Sequence, residues 1–230
     1  MTNKTKLFTV GGCVRDMILG IESMDIDFAV ESASFDSMRD SIVSRGGTVF
    51  LESPEFLTIR AKMPGIGPAD FVLCRKDGSY SDGRHPDSVE MGTLSDDLAR
   101  RDFTMNAIAQ DEDGTLIDPH NGQSDIASRR IVCVGDAATR FTEDALRLLR
   151  AVRFSITKSM ELDDAIVACL SDGRFSEMLV SVSDERIREE LTKAFMFDTV
   201  ESLRVLERFP LVREAAFGSG GIRLEPTMRQ

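Results

Sequence analysis

Leu7-Phe8-Thr9-Val10-Gly11-Gly12-Cys13-Val14-Arg15-Asp16, closed by Leu19-Gly20 and followed by Asp25-Ile26-Asp27-Phe28-Ala29-Val30, is the stretch that decides the fold. Leu7 to Val10 reads as a strand, the glycine pair as a turn, Val14 to Leu19 as a helix and Asp25 to Val30 as a second strand. Two carboxylates two residues apart on a strand point to one face, with Cα atoms roughly 6.6 Å apart. That spacing lets both reach a pair of divalent ions about 3.5–4 Å apart, as two-metal phosphoryl transfer requires. Hard Mg2+ takes such oxygen ligands and leaves room for substrate phosphates. Gly11 and Gly12 let backbone N–H groups approach an anion at the start of the helix. Arg15, one turn in, is placed to meet phosphate oxygens bidentately. The same pattern also describes two solvated aspartates after an ordinary turn, so spacing alone leaves both readings open.

Outward from this stretch, short β-like runs alternate with helical ones. Ser34 to Arg45 reads as a helix, and Thr48 to Leu51, Leu57 to Met63 and Asp70 to Cys74 read as further strands of a mixed sheet. Asp70, at the head of its strand, is a candidate third carboxylate. Lys76 to Asp87 reads as a long polar loop, a feature that in compact domains is often functional. Leu94 to Gln110 reads as helical with Ser95 as its N-cap, and a strand-turn piece runs through Leu116 to Val134. Beyond Thr139 the pattern is helical throughout: Thr142 to Phe154, Leu162 to Leu170, Asp184 to Phe197 and Val200 to Arg208. The expectation is an α+β head over residues 1–139, an all-helical segment over 140–209 and a short tail over 210–230.

The chain has 230 residues and a formal net charge of −11, which argues against a protein that coats nucleic acid non-specifically through counterion release. Its 28 basic residues are mostly Arg, the side chain suited to planar contacts with phosphates and base edges. Most of the acidity lies before residue 141, where a carboxylate-rich metal site fits. The start carries no signal-like apolar stretch, and no run approaches the roughly 20 apolar residues that cross a bilayer. Cys13, Cys74, Cys133 and Cys169 are widely spaced among apolar neighbours, so buried thiols, a cytoplasmic location and no membrane association are expected.

A second informative stretch is Glu143-Asp144-Ala145-Leu146-Arg147-Leu148-Leu149-Arg150-Ala151-Val152-Arg153-Phe154. On a helix Asp144 and Arg147, three apart, share a face. Glu143 and Arg147, four apart, form an ion pair worth a few tenths of a kcal/mol. A carboxylate beside a guanidinium also matches the edges of cytosine and adenine, which place an amino group next to an acceptor nitrogen. Uracil and guanine present the reverse order and would leave groups unpaired. Geometry does not choose between the two accounts.

Taken together, GGCVRD with its following DID, RRDFTMNAIA, LIDPHNGQSDI, RFTEDALRLLRAVRF and DERIREEL resemble the bacterial-type (class II) tRNA nucleotidyltransferases, the CCA-adding enzymes and their poly(A) polymerase relatives. The resemblance spans roughly residues 8–195 in the family's motif order. It implies a polymerase-β-type nucleotidyltransferase head, a mixed sheet with flanking helices, followed by a helical neck. It further implies addition of CMP and AMP from CTP and ATP, as CCA or terminal A, to a tRNA 3′ end with two Mg2+ ions.

By the same resemblance, Asp25 and Asp27 hold the metal, Asp70 joins them as a catalytic carboxylate, and Gly11, Gly12 and Arg15 cradle the triphosphate. Arg101 and Asp102 read the ribose 2′-hydroxyl, Asn106 supports the pocket, and Asp144 and Arg147 form the base-reading template with Arg150 and Arg153 beside them. Residues 75–92, with Arg75, Tyr80 and Arg84, resemble the flexible loop that assists the switch from C to A. Family members continue for well over a hundred further residues that grip the tRNA acceptor end. This chain has little room for them, so an RNA-binding partner or a homo-oligomer is expected to replace that grip. The alternatives are a poly(A) polymerase-like enzyme, a nucleotidyltransferase acting on a non-tRNA acceptor, and a non-catalytic nucleotide-binding subunit.

Overall fold

The structure, a computed structural model, describes residues 5–23, 25–78, 80 and 87–218. Arg84, with Gly83, His85 and Pro86, and the end of the expected tail lie outside them. The chain divides into two compact units after Gly135.

The first unit is built on a seven-stranded mixed sheet. Its strands are β1 (Lys6–Val10), β2 (Ile26–Glu31), β3 (Thr48–Ser53), β4 (Thr58–Met63), β5 (Gly67–Leu73), then β8 (Ala109–Gln110) and β9 (Leu116–Ile117), in the order β3-β4-β5-β2-β1-β8-β9. β2 and β5 run parallel, and the other neighbours are antiparallel. Helix α1 (Gly12–Ile18) follows β1, and helix α2 (Phe35–Ser44) links β2 to β3. The Ser34 hydroxyl caps α2 by accepting from the Ser37 N–H at 3.1 Å. Met38 and Ile42, one turn apart, then bury against Leu7, Val30, Ile59, Phe71 and Leu73. Each such side chain contributes roughly 1.5–3 kcal/mol on burial. Phe28 and Phe71, opposite one another on β2 and β5, stack with centroids 4.8 Å apart. The other sheet face packs Phe8, Val10 and Ala29 on Leu94 and Leu98 of helix α3 (Leu94–Ala99).

Several local expectations are corrected. The expected loop from Lys76 is entered and left through a short antiparallel pair, β6 (Arg75–Asp77) and β7 (Val89–Met91). Helix α3 is capped by Thr93, not Ser95, because Thr93 and Asp96 form a reciprocal capping box. It also stops at Ala99 instead of running to Gln110. Asp102 takes the backbone N–H of Phe103 with its carboxylate, Phe103 bridges to Cys133, and Ala109–Gln110 joins the sheet, so side-chain and ladder bonds replace helical ones. A helix α4 (Gly122–Ala127) lies where only strand and turn were expected, started by the Asp118 carboxylate accepting from Gly122 and Gln123 N–H groups. The short strand β10 (Arg130–Ile131) follows it.

The second unit is helical: α5 (Ala137–Glu143), α6 (Leu146–Thr157), α7 (Asp164–Leu170), α8 (Gly173–Leu179), α9 (Asp184–Phe197), α10 (Thr199–Arg208) and α11 (Pro210–Phe217), with a two-residue strand β11 at Glu161–Leu162. The boundary expected after residue 139 falls inside α5, and the stretch assigned to a tail begins with α11, which buries Val212 and Ala216. The helix expected from Thr142 to Phe154 is two helices. Asp144 leaves helical geometry at φ −153°, ψ 104°, and its carboxylate accepts from the Leu146 N–H at 3.1 Å. All four cysteines are free thiols and buried.

Candidate active site

In the first unit, strand pairing assembles one row of side chains across the sheet. Val10 on β1 is opposite Asp27 on β2, Asp27 is opposite Asp70 on β5, and Asp70 is opposite Arg60 on β4. Directly paired residues point to one face. Asp27 and Asp70, far apart in sequence, therefore stand side by side, with Asp25 two residues before Asp27. These residues line an open cleft of about 390 Å3 together with Arg60 and Phe50.

The electrostatics of the row are unbalanced. Burial, then the negative charge of Asp70 and that of Asp25, push the Asp27 carboxyl above the ordinary carboxylate range, against the opposing charges of Arg101 and Arg60. Asp27 nonetheless keeps an open side towards solvent. Asp70 is held by Arg60, with Nε 2.8 Å and Nη2 3.0 Å from its oxygens. Among the described residues, no group of three or more His, Cys, Asp or Glu is close enough to enclose a metal ion. Asp25 and Asp27 nevertheless fit a hard divalent cation. Their donors are carboxylate oxygens, their charge is under-compensated, and Mg2+ takes only one or two protein carboxylates when phosphates complete its shell.

Next to this row, β1 ends in the glycine turn. Gly11 has φ +76°, and a Cβ placed there would lie 2.8 Å from Arg101 Nη1. The positive φ favours glycine, and any side chain there would displace the Arg101 guanidinium. At Gly12 a Cβ would meet Arg15 Nη2 at an ordinary 3.6 Å. Arg15 is buried. It donates to Asp16 through Nε (2.8 Å) and Nη2 (3.0 Å), and to Asn106 Oδ1 through Nη1 (2.6 Å). Asn106 in turn donates to Asp102 at 2.9 Å. Arg15, Asp102 and Asn106 are thus linked by hydrogen bonds, and Arg101 joins them through Nη1 to the Asn106 carbonyl at 3.1 Å.

Sequence reasoning missed Asp97. Buried to 2% exposure, it accepts from Arg101 Nη2 at 2.9 Å and from Arg100 Nη2 at 2.5 Å. Burial works to raise its carboxyl, but the charges of Arg101 and Arg100 override this and hold it below the ordinary range. Asp97 aims Arg101 at the glycine turn. Its signal in the sequence is the i, i+4 Asp97–Arg101 spacing, which the helical pattern of the same stretch masks. From the loop base, Arg75 Nε lies 2.9 Å from Asp77 Oδ1, the Tyr80 hydroxyl donates to Asp77 Oδ2 at 2.6 Å, and Arg100 Nη1 lies 3.8 Å from Asp77 Oδ2.

In the second unit, the helix break at Asp144 removes the expected i, i+3 helical geometry with Arg147. The Asp144 carboxylate accepts from Arg186 Nη2 at 2.8 Å, and Arg147 Nη1 donates to Glu143 Oε2 at 2.6 Å and to the Arg140 carbonyl at 2.9 Å. Further along α6, Arg153 Nε donates to Glu190 on α9 at 2.5 Å, and Arg150 lies 3.7 Å from the same carboxylate. Both guanidiniums stand over the Phe154 ring, at 5.4 Å for Arg150 and 3.9 Å for Arg153. No helix among the described residues is long and apolar enough to cross a membrane.

Comparison with known proteins adds the family context. Residues 7–132 match the family model described as the poly A polymerase head domain. The chain is 36% identical over 196 residues to the CCA-adding enzyme of Limosilactobacillus fermentum, covering 85% of this chain and 47% of that one. It is 39% identical over 198 residues to the CCA-adding enzyme of Geobacillus thermodenitrificans, covering 81% and 44%. Among solved structures, it superposes on the Bacillus stearothermophilus CCA-adding enzyme in complex with CTP with a TM-score of 0.78 and 32% identity, over 90% of this chain and 49% of that chain. A tRNA nucleotidyltransferase complexed with a primer tRNA and an incoming ATP analogue gives a TM-score of 0.73 and 28% identity, over 92% and 59%. The chain spans about half the length of the sequence relatives it matches.

Proposed function

The chain belongs to the poly A polymerase head-domain family, and from that premise we propose that it is a template-independent nucleotidyltransferase adding CMP or AMP, from CTP or ATP, to a tRNA 3′ end. The observation that carries this reading is the row Asp27–Asp70 on paired strands, with Asp25 beside it and the glycine turn with Arg101 adjoining. Its chemistry is that of phosphoryl transfer, in which positioning and charge stabilisation do most of the work.

Asp25 and Asp27 are the residues to hold Mg2+, as two ions, which when bound supply activation of the attacking hydroxyl and charge stabilisation on the leaving pyrophosphate. Gly11 and Gly12 bring backbone close to the triphosphate, and Arg101 presents its guanidinium there, steadied by Asp97. Arg15, Asp102 and Asn106 form the buried polar floor that supports the nucleotide. Asp70, oriented by its ion pair with Arg60, accepts a hydrogen bond from the attacking 3′-hydroxyl. Asp144 and Arg147, with Arg150 and Arg153 beside them, read the base, and the loop bearing Arg75, Tyr80 and Arg84 assists the change from C to A.

The test is to incubate the purified chain with Mg2+, labelled CTP or ATP, and tRNAs ending before CC, before C or before A. Incorporation that depends on Asp27 is expected, and no labelling of any tRNA would reject the reading. A second reading, 3′-adenylation of RNA in general, is favoured by the description of the family model itself. It predicts extension of an unstructured RNA with ATP as readily as of tRNA.

A further inference from the structure

We propose that Phe50 is a stacking platform for the terminal base of the acceptor strand, an inference that rests on the reading of the chain as a nucleotidyltransferase acting on an RNA 3′ end. Three observations converge on this side chain. β3 pairs with β4 through Val49↔Ala61 and then Leu51↔Arg60, so Phe50 is the extra residue of a β-bulge. Bulges bend an edge strand and re-aim a side chain. Phe50 is 58% exposed, a large apolar surface left out of the core that takes in its neighbour Val49. Finally, Phe50 lines the same cleft as Asp25, Asp27, Asp70 and Arg60.

The order of the strands says which substrate this ring meets. Across the row, the glycine turn follows β1, Asp27 is on β2, Asp70 on β5, Arg60 on β4 and Phe50 on β3. On the proposed reading the glycine turn and Arg101 hold the triphosphate, at the β1 side of the carboxylates. In-line transfer places the attacking oxygen opposite the leaving pyrophosphate, so the acceptor hydroxyl approaches from the β5–β4–β3 side. Phe50 stands three strand spacings from Asp27, roughly 14 Å between strand axes. A nucleoside together with the reach of a phenylalanine side chain spans that gap. An aromatic ring accepts any base through its π-face, and such stacking tolerates sequence. The ring therefore supplies acceptor affinity at a cleft whose charge is otherwise negative.

The chain contains no tryptophan, so Phe50→Trp creates a single emission reporter at this position. The variant is titrated with a short single-stranded RNA ending in cytidine, with the same RNA carrying an abasic terminal nucleotide, and with CTP alone. Quenching by the first and not by the other two is expected. Equal quenching by the abasic RNA, quenching by CTP alone, or no quenching by any of them overturns the proposal.

In the transfer assay, Phe50→Ala is expected to raise the acceptor KM by roughly 5- to 150-fold, with a far smaller change in kcat and in the KM for CTP, and Phe50→Tyr to restore it. Its melting temperature should stay close to that of the parent chain because the ring is exposed. An unchanged acceptor KM, or a loss in kcat alone, sets the proposal aside. If the parent chain extends no RNA at all, the functional reading fails by itself, and the fluorescence titration still decides whether Phe50 binds a base.

Discussion

Asp27 and Asp97 are two carboxylates near the same guanidinium, that of Arg101, yet their ionisation shifts in opposite directions. Asp97 is the more deeply enclosed, but two arginines donate to it and it stays charged below the usual range. Asp27 keeps an open side to water but shares its row with Asp70 and Asp25, and its carboxyl is pushed up. The difference is a matter of charge ratio more than of burial. Where arginines outnumber the carboxylate, the cluster is satisfied and holds geometry. Where carboxylates crowd together and the arginines that oppose them, Arg101 and Arg60, are each bound to another carboxylate, the folded chain retains repulsion that a divalent cation would relieve.

The largest expected effect tests the unsatisfied cluster. Asp27→Ala should lower transfer by about 1,000-fold or more while the chain still folds, read from labelled nucleotide incorporation and circular dichroism. Turnover close to the parent's would refute the metal assignment. The sign of the pH effect follows from the raised pKa. Between the unfolded and folded values the native state binds more protons, so the Asp27 charge costs stability at neutral pH and that cost fades on acidification. Asp27→Asn should therefore melt higher than the parent chain at pH 7, with the gap closing as pH falls into the ordinary carboxylate range.

Asp97→Asn probes the satisfied cluster. It leaves two guanidiniums without their shared counter-ion and should destabilise the fold by about 3–5 kcal/mol in urea titrations near neutral pH. Because the Asp97 pKa is lowered, the parent's advantage is present above the ordinary carboxylate range and is lost as pH falls through the folded value. A loss below about 0.5 kcal/mol would show that Asp97 merely sits beside the arginines.

Arg147 carries the same contrast into the second unit. If it reads the base, Arg147→Ala should reduce discrimination against UTP and GTP by about 100-fold. If selectivity is unchanged, Arg147 belongs with the satisfied clusters and its ion pair with Glu143 is its role. Gly11→Ala is the mildest change. It forces an L side chain to a positive φ and against Arg101, costing about 1–3 kcal/mol of stability and raising the KM for CTP. A melting curve and a CTP saturation series that match the parent would remove the steric argument for this glycine.

Much of the site was legible because it is local. The glycine turn and the Asp25–Asp27 pair lie within one short stretch, although β2 begins at Ile26 and leaves Asp25 just before the strand that carries Asp27. The helix from Asp184 to Phe197 was equally readable from its pattern. Expectations went astray where side chains compete with backbone ladders. Asp102 and Asp144 both accept backbone N–H groups, and each marks the end of a helical expectation that period alone would have continued. Asp97 and Phe50 went unnoticed for different reasons. An aspartate near arginines looks like surface charge until burial is known, and an aromatic on an edge strand looks like core until the bulge is seen.

By itself, the order of residues determined the alternation of strands and helices in the head, the helical second part, the burial of the four cysteines and the carboxylate pair at 25 and 27, because each depends on near-neighbour spacing and polarity. Only the tertiary structure decided that Asp70 stands against Asp27, that Arg60 rather than solvent holds it, that Asp97 clamps Arg101, and that Asp144 faces Arg186. Those relations join residues from separate elements, and strand order, register and the need to pair buried charge are properties of the assembled chain.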